Sequence, residues 1–319
     1  MTEYGFVREE DRLFPPMVVV EVTNVCNLRC IHCPHPAMVK RPDYHPHNME
    51  WEVFTKIADE VSLHPGTIFR LACDGEPLCH PRFVEMLHYA DSLGIGPLAF
   101  NTNGALMTEE KARGVLAVGK AVVEFSLDAF TKEVYESIRV GADYEEVMAN
   151  VHRFIELRNE LNPDVKVMVS IIVQPESDDE REKFMQHWSP LADHVLQRKY
   201  IACKGELDTS KERYEELPER WPCKQIWTRF NISPEGLAEF CTDDWHDESV
   251  VADVKERSIG DIWTGNEYQR LRRLHLDRKF GEIPYCGKCT DWRVIEWDYD
   301  YFRAIKKAFN KKFSKKNFL

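Results

Sequence analysis

The chain has 319 residues, 43% of them hydrophobic, which is enough for one large domain with a buried core and a second small one. Its net charge of −12 argues against a general nucleic-acid-binding protein, which needs a basic surface. No apolar stretch approaches the length of a transmembrane helix, and the first residues are polar with no signal-peptide core, so we expect a cytoplasmic protein.

Short β-branched runs alternate with helix-length segments over the first two thirds of the chain. The predicted strands are 17–22, 67–72, 97–101, 122–127, 166–173 and 194–201. The predicted helices are 50–63 with Asn48 as its N-cap, 81–93, 108–118, and segments that begin at Thr131, Tyr144 and Ser177. This alternation is typical of parallel strands joined by helices, and six units are too few to close an eight-stranded barrel. We therefore predict an α/β fold with a partial, open (β/α)6 barrel.

The pattern changes after Gly205, and this change suggests the domain organisation. Residues 1–15 are an N-terminal segment, 16–205 the barrel, and 206–222 a polar linker. Residues 223–295 are rich in Trp and Cys with no long periodic run, so we predict a small domain that a metal site stabilises. Residues 296–319 are a basic tail, with seven Lys or Arg and no acid in 303–319. We expect this tail to be solvated; the alternative is an amphipathic helix, with Phe302, Ile305, Phe309 and Phe313 on one side, that touches an anionic membrane or an acidic redox partner.

Ten cysteines in a reducing compartment favour metal ligation over disulfides, and the first three are closely spaced. Cys26, Cys30 and Cys33 follow the first strand, so they lie at the end of the sheet where β/α barrels place their chemistry. Three thiolates leave one iron of a 4Fe–4S cluster open to a chelating small molecule. The alternative is a zinc site that His32 or His35 completes.

The C-x3-C-x2-C motif after the first strand of a six-unit chain resembles the radical S-adenosylmethionine (SAM) superfamily. The resemblance implies that SAM chelates the open iron and is cleaved by one electron to a 5′-deoxyadenosyl radical. It also implies that His32, the residue before the last cysteine, packs on the adenine, where a larger aromatic residue is more common.

Polar residues just past the next strands extend this resemblance. Gly75 and Glu76 resemble the family's Gly-Gly-Glu-Pro segment, which binds the methionyl amine, although Asp74 replaces its first glycine. Ser126 and Arg139 resemble the pair that holds the ligand carboxylate, and a guanidinium suits a carboxylate geometrically. The remaining predicted SAM-binding residues are Asn101, Asn103 and Asp128.

A second set of cysteines consists of Cys223, Cys241, Cys286 and Cys289. Four thiolates satisfy either zinc or a 4Fe–4S cluster, and their spacing alone does not choose between them. The region resembles the SPASM/twitch extension of radical SAM enzymes, which implies an auxiliary 4Fe–4S cluster that accepts an electron during substrate oxidation. Because no cysteine follows Cys289, the shorter twitch form is the better match.

The resemblance implies hydrogen abstraction from a substrate, with flavodoxin or ferredoxin as the electron donor. We expect a small polar substrate, such as a sugar, aminocyclitol or nucleoside-type molecule, because too few residues precede the first strand to form a leader-binding domain. The alternatives are a peptide- or protein-modifying maturase and a zinc-stabilised non-catalytic binding protein. The candidate catalytic residues are Arg198, Lys199, Tyr200 and Cys203; Arg or Lys would accept a proton, and Cys203 would donate a hydrogen atom in an epimerisation.

Overall fold

Six strands of the first two thirds of the chain form a parallel sheet in chain order. The computed structural model describes residues 4–72, 74–211, 219–295, 297 and 304–305. The six strands are β1 (Met17–Val20), β2 (Ile68–Leu71), β3 (Leu98–Thr102), β4 (Ala121–Ser126), β5 (Lys166–Val173) and β6 (His194–Lys199). All six predicted strands are present, with ends that differ by a few residues at most.

Three further strands continue the same sheet on the far side of β1. They are β7 (Phe230–Ile232), which is parallel to β1, and the antiparallel β8 (Leu237–Glu239) and β9 (Val250–Asp253). The sheet has the order β6-β5-β4-β3-β2-β1-β7-β8-β9, so β6 and β9 are its edges and the barrel is open, as predicted. The cysteine-rich region is thus joined to the barrel by a shared sheet, while the domain boundaries remain a prediction.

Helices pack on the outer face of the sheet and in the region after it. They are α1 (His35–Met38), α2 (Trp51–Ser62), α3 (Phe83–Ser92), α4 (Glu109–Leu116), α5 (Lys132–Ile138), α6 (Tyr144–Leu161), α7 (Arg181–Trp188), α8 (Gln225–Thr228), α9 (Ile259–Thr264), α10 (Asn266–Leu276) and α11 (Pro284–Gly287).

Two sequence-based expectations about these helices were wrong. Asn48 does not cap α2; it forms a β-bridge with Thr23, and Glu50 is the residue that precedes the helix. The region 223–295 does contain a periodic helix, α10. The buried face of α10 includes Arg272 and His275 beside apolar residues, and these two polar residues hide its apolar periodicity in the sequence.

The inner face of the barrel has an apolar lower layer. It consists of Met17, Val19, Ile68, Ala99, Val122, Met168, Leu196, Ala304 and Ile305. Ala304 and Ile305 are only 5% and 3% exposed, so this part of the basic tail is buried beneath the barrel, contrary to the expectation of a solvated or membrane-bound tail. Phe302, Phe309 and Phe313 lie outside the described residues. None of the helices in the described part of the chain has the length and apolar character that crossing a bilayer requires.

Candidate functional site

A cavity of about 420 Å³ opens at the carboxyl ends of the parallel strands, and the first three cysteines line it together. Cys26, Cys30 and Cys33 lie in the loop after β1. This loop is held against the end of α5 and the residues just after it. The Arg29 amide donates a hydrogen bond to the Val140 carbonyl at 2.9 Å, and the Ile31 amide donates to the Ile138 carbonyl at 3.0 Å. The predicted trio is therefore brought to one wall of one cavity.

The loop after β2 packs directly on the cysteine loop. A Cβ atom on Gly75 would lie 2.2 Å from the Thr23 carbonyl oxygen, so only glycine permits this approach. The Glu76 amide donates to the Val25 carbonyl at 2.9 Å. The Glu76 carboxylate accepts hydrogen bonds from Thr102 Oγ1 at 2.7 Å, the Asn103 amide at 2.8 Å and the Leu78 amide at 3.2 Å. Burial raises the pKa of Glu76, against these donors, which lower it.

Arg139 follows α5 directly, and its side chain lies beside Cys30. It donates to the Asp128 carboxylate and, at 3.8 Å, to Cys30 Sγ, while its Nε is buried and has no hydrogen-bond partner. Burial alone would raise the pKa of Asp128, but Arg139 and then His32 lower it below its usual value. Ser126 also lines the cavity, and its hydroxyl group forms no hydrogen bond with the described residues. These free donors fit a carboxylate ligand.

His32 also contacts Asp128, at the same carboxylate oxygen that Arg139 contacts. Its Nε2 is 3.4 Å from the Asp128 carboxylate, and the Gln174 side-chain amide is 3.4 Å from its Nδ1. Burial lowers the pKa of His32 to about 4. A neutral, buried imidazole beside the cysteines is compatible with contact to an uncharged ring such as adenine.

The two predicted asparagines have different surroundings. Asn103 Nδ2 donates to Asn27 Oδ1 at 2.9 Å, so it braces the cysteine loop. Asn101 Oδ1 accepts from Arg70 Nη2 at 2.9 Å, deeper in the barrel. Both asparagines line the cavity. The sequence does not indicate that Asn103 holds the cysteine loop while Asn101 lies deeper in the barrel.

The structure separates the four candidate catalytic residues. Cys203 and Arg198 line the cavity, whereas Lys199 is exposed and Tyr200 is buried, and neither lines it. Arg198 forms an ion pair with the buried Glu124, at 2.6 Å between Nη2 and Oε1. Alternation along β6 explains the split, because Arg198 points into the barrel and its neighbour Lys199 therefore points out.

Several cavity residues were missed from the sequence. Arg70 on β2 and Glu124 on β4 interrupt apolar strands, and a charge in a buried strand is the signal that could have found them. The cavity is also lined by residues of the cysteine-rich region, which no barrel motif predicts: Lys224, Gln225, Thr228, Arg229, Thr242, Asp243, Trp245, Val294 and Ile295.

The second set of cysteines surrounds a small cavity of its own, of about 30 Å³. Cys223, Cys241, Cys286 and Cys289 all line it, so three separate segments of the chain converge: one before α8, one after β8, and α11 with the residues just after it. Gln225, Asp243 and Ile295 line both this cavity and the larger one, and they form the partition between the two. The cysteine-rich region therefore places its thiols directly behind one wall of the larger cavity.

Burial raises the pKa values of the thiols in both groups of cysteines. It raises the pKa of Cys26 and of Cys286 to about 12, and it raises the pKa of the other five above the ordinary thiol value. Grouped thiolates in such surroundings need a metal to compensate their charge, and soft thiolates suit iron or zinc. The donor types suit two metal centres, of three and four thiolates, but the described residues contain no group of three such side chains arranged to hold a single metal ion.

Comparisons with known proteins agree with this arrangement. The family model described as "Radical SAM superfamily" matches residues 20–187, and the "Iron-sulfur cluster-binding domain" model SPASM matches residues 223–290. In sequence, the chain is 32% identical over 110 residues to the "Tungsten-containing aldehyde ferredoxin oxidoreductase cofactor-modifying protein" of Pyrococcus furiosus, a match that covers 34% of this chain and 30% of that protein. The chain spans from about a third to about half the length of the curated relatives it matches.

Two solved structures have the same fold at low identity. BtrN in complex with AdoMet and 2-DOIA has a TM-score of 0.61 at 17% identity, over 90% of this chain and 97% of that one. Streptococcus suis SuiB bound to the precursor peptide SuiA has a TM-score of 0.69 at 13% identity, over 88% of this chain and 71% of that one. The chain belongs to the radical SAM superfamily, as an iron–sulfur enzyme that uses a 4Fe–4S cluster and SAM and carries an auxiliary iron–sulfur centre in a SPASM domain.

Proposed function

We propose that this enzyme binds its catalytic cluster through Cys26, Cys30 and Cys33 and abstracts hydrogen from a small polar substrate in the cavity beside them. When bound, the cluster and SAM supply a 5′-deoxyadenosyl radical by one-electron cleavage of the sulfonium. The observation that carries this proposal is the convergence of three thiols and unsatisfied donors, Arg139 Nε and the Ser126 hydroxyl, in one cavity.

The chain's own residues would hold SAM by its methionyl end. Arg139 and Ser126 would donate to the carboxylate, because both have free donors and line the same cavity as the cysteines. Glu76 already accepts three hydrogen bonds, and its carboxylate retains acceptor capacity for the amine. His32 and the Gly75 turn would complete this surface.

The second site would hold the auxiliary cluster through Cys223, Cys241, Cys286 and Cys289, close to the substrate. Support comes from the partition of Gln225, Asp243 and Ile295 that both cavities share. Zinc, the alternative drawn from the cysteine spacing alone, also suits four thiolates. Metal analysis after anaerobic reconstitution tests the assignment: we expect about eight iron atoms per chain, four for each cluster, whereas four iron atoms and one tightly bound zinc would contradict it.

A small polar substrate is supported by the walls of the cavity and by the room left in it. The total volume of about 420 Å³ has to accommodate SAM and the cluster as well, and side chains of both the barrel and the cysteine-rich region line it. BtrN, whose structure holds 2-DOIA, matches over nearly its whole length. The structure of SuiB with its precursor peptide supports the second candidate, a peptide-modifying maturase, but this chain covers only 71% of SuiB.

Cys203 is the candidate that the geometry favours for the final hydrogen transfer. Cys203 is 5% exposed and lines the cavity, and burial raises the pKa of its thiol, so the thiol keeps its hydrogen. The substrate radical would take a hydrogen atom from the S–H group, which gives an epimer and a sulfur radical. One electron from a reduced flavodoxin or ferredoxin and one proton then restore the thiol. Arg198 is less suited to accept a proton, because a guanidinium stays charged in proteins and this one is ion-paired with Glu124.

Isotope transfer tests this proposal. Candidate sugars with deuterium at each carbon are incubated with SAM and reductant, and we expect deuterium in 5′-deoxyadenosine from one of them. In D2O, Cys203 would place solvent deuterium in the product, and Cys203→Ala should still form 5′-deoxyadenosine but no epimer. Transfer from a peptide and from no sugar would favour the maturase. Reductive cleavage of SAM that survives Cys30→Ala would overturn the cluster assignment.

A further inference from the structure

His275 lies beside the second set of cysteines and has a ring nitrogen without a partner. It belongs to α10, is 1% exposed, and lines the cavity of about 30 Å³ together with Cys223, Cys241, Cys286 and Cys289; we call this space the auxiliary cavity. His275 Nε2 is buried and forms no hydrogen bond with the described residues. Buried polar atoms normally have a partner, so this one indicates a group that the chain itself does not supply.

The hydrogen bond at the other ring nitrogen fixes the form of the imidazole. The Cys223 amide donates to His275 Nδ1 at 3.1 Å, so Nδ1 carries no hydrogen. The neutral ring then has its hydrogen on Nε2, which makes that atom a donor. Aromatic rings pack against the imidazole, because the centroid of Phe280 is 5.2 Å and that of Trp227 is 6.4 Å from its own. The unpaired atom is therefore an N–H group in mostly apolar surroundings, held next to a cysteine.

Arg220 supplies a second donor of the same kind. It lines the auxiliary cavity, and its Nη1 donates to the Cys286 carbonyl at 2.9 Å, which holds the guanidinium beside another cysteine. Its Nε is buried and, like His275 Nε2, has no hydrogen-bond partner in the described part of the chain. Two residues from different segments of the chain thus bring an unpaired N–H group each to the same cavity.

Iron–sulfur clusters can use such donors, because hydrogen bonds to their sulfur atoms help to set the reduction potential. Reduction adds one electron to the cluster, so its sulfur atoms become stronger acceptors. An N–H group that donates to sulfur therefore stabilises the reduced form more than the oxidised form, which raises the potential.

We infer that His275 Nε2 and Arg220 Nε donate hydrogen bonds to sulfur atoms of the auxiliary cluster and raise its reduction potential. This inference depends on the proposed function, because it takes the four cysteines of the auxiliary cavity as the ligands of that cluster. Each thiolate of a four-iron cluster binds its own iron, so the four sulfur atoms need not converge on one point. Neither donor has to touch the substrate for this role.

A redox titration of the auxiliary cluster alone tests the inference without turnover. The full chain with Cys26→Ala, Cys30→Ala and Cys33→Ala is reconstituted anaerobically, so that only the second set of cysteines can hold a cluster. We expect about four iron atoms per chain in this parent protein. The midpoint potential is then measured by electron paramagnetic resonance during titration with dithionite and redox mediators, with neither SAM nor substrate present.

Two substitutions of His275 distinguish a donor from a structural contact. His275→Phe removes the donor, and at a fixed potential we expect the ratio of reduced to oxidised cluster to fall about tenfold, which is about 59 mV for one electron. His275→Gln retains a side-chain N–H group of similar reach, so its potential should stay close to that of the parent protein. Both variants lose the ring nitrogen that accepts from the Cys223 amide, so a merely structural contact would change both by the same amount.

Arg220→Lys tests the second donor at constant charge. Lysine retains the positive charge but has no Nε–H group, so we expect the same ratio to fall severalfold. Arg257→Lys, at an exposed arginine that is paired with Glu267 in the same region, is the matched control and should leave the potential unchanged.

A measurement that keeps His275 in place covers the case in which a variant loses its cluster. With ¹⁵N-labelled histidine in the parent protein, pulsed electron paramagnetic resonance of the reduced cluster should show weak coupling to a labelled nitrogen. The signal is assignable because His275 is the one histidine among the described residues that lines the auxiliary cavity. A reduced cluster without this coupling would overturn the inference.

The outcomes separate this inference from the proposed function. If the parent protein holds about four iron atoms but His275→Phe has an unchanged potential, or if His275→Phe and His275→Gln lower it equally, His275 does not donate to the cluster and the ligand assignment stands. If the parent protein holds zinc or no metal, the assignment of the second site fails, and the inference fails with it.

Discussion

The two cysteine regions differ most in the space beside their sulfur atoms. The first region is the loop with Cys26, Cys30 and Cys33 together with the loops that pack on it, and the second is the cysteine-rich region with Cys223, Cys241, Cys286 and Cys289. The three thiols of the first region face a cavity of about 420 Å³, whereas the four of the second enclose about 30 Å³. The free donors of the first region, on Arg139 and Ser126, belong to this open cavity. The second region is packed with the rings of Phe240, Tyr285 and Trp292, and its own unpaired donors, Arg220 Nε and His275 Nε2, belong to residues of the small cavity. The difference indicates one centre built to take a ligand and one built to be closed.

The largest effect should come from removing a thiol from each region in turn. Cys30→Ser should abolish the formation of 5′-deoxyadenosine and lower iron from about eight to about four atoms per chain. Cys286→Ser should lower iron by the same amount but retain SAM cleavage, because the first region would still be complete. Both are measured by iron analysis and by chromatography of the nucleoside. If both variants lost SAM cleavage equally, the two regions would not have the separate functions proposed for them.

Two glycine substitutions compare how closely the backbone is packed in the two regions. Gly75→Ala would place a Cβ atom 2.2 Å from the Thr23 carbonyl oxygen, so we expect a loss of about 1–3 kcal/mol or more in the free energy of unfolding. Gly281→Ala, in the second region, has no atom within 4 Å of the added carbon and should be close to neutral. Denaturant melts give the energies. A stable Gly75→Ala variant with a full complement of iron would show that the close approach does not support the first region.

The sequence predicted the first region better than the second. The β-branched strands and the C-x3-C-x2-C motif are local signals, and the structure has the six strands and brings the three thiols together. The second region depends on contacts between segments far apart in the chain, such as the pairing of β7 with β1. No local pattern predicts that pairing, because the strands have only three or four residues.

Side-chain partners were the other feature that the sequence could not reveal. Arg139 was expected at a ligand carboxylate, and its ion pair with Asp128, a residue whose backbone is left-handed with φ of 66°, was not predicted. Arg198 and Lys199 are adjacent and equally plausible in the sequence, yet only Arg198 lines the cavity. The strand's alternation separates them once the inner face is known.

A smaller effect is expected from Arg139→Lys, which tests the free donors of the first region. Lysine retains the charge beside Asp128 but loses the planar fork, so SAM should bind about tenfold more weakly. Equilibrium dialysis of SAM against the reconstituted enzyme measures this change, and the iron content of both regions should stay the same. Arg113→Lys on the surface is the matched control. Unchanged SAM affinity in Arg139→Lys would remove Arg139 from the ligand site.

The smallest effect is a pH dependence of stability in the first region, at His80. The buried His80 ring has Nε2 3.2 Å from the Met49 carbonyl, to which it donates, and its Nδ1 accepts from the Arg82 amide at 3.1 Å. Only the bond at Nδ1 requires the neutral ring, since the bond to Met49 favours the charged form, but burial is the larger effect and lowers the pKa of His80. The unfolded chain therefore binds more protons than the folded chain once the pH falls to about 6.5, and the stability that His80 contributes is lost as the pH falls from there through the lower pKa of the folded state.

Thermal melts at pH 7.5, 6.5 and 5.5 check this sign. His80→Gln should be less stable than wild type at pH 7.5, and the gap should narrow at pH 5.5, because only the wild type has to keep a histidine neutral at the lower pH. His45→Gln, at an exposed position, should keep a constant offset from wild type. A gap for His80→Gln that is the same at all three pH values would mean that the loop after β2 tolerates a charged imidazole. His80 would then contribute nothing to the loss of stability of the first region at low pH.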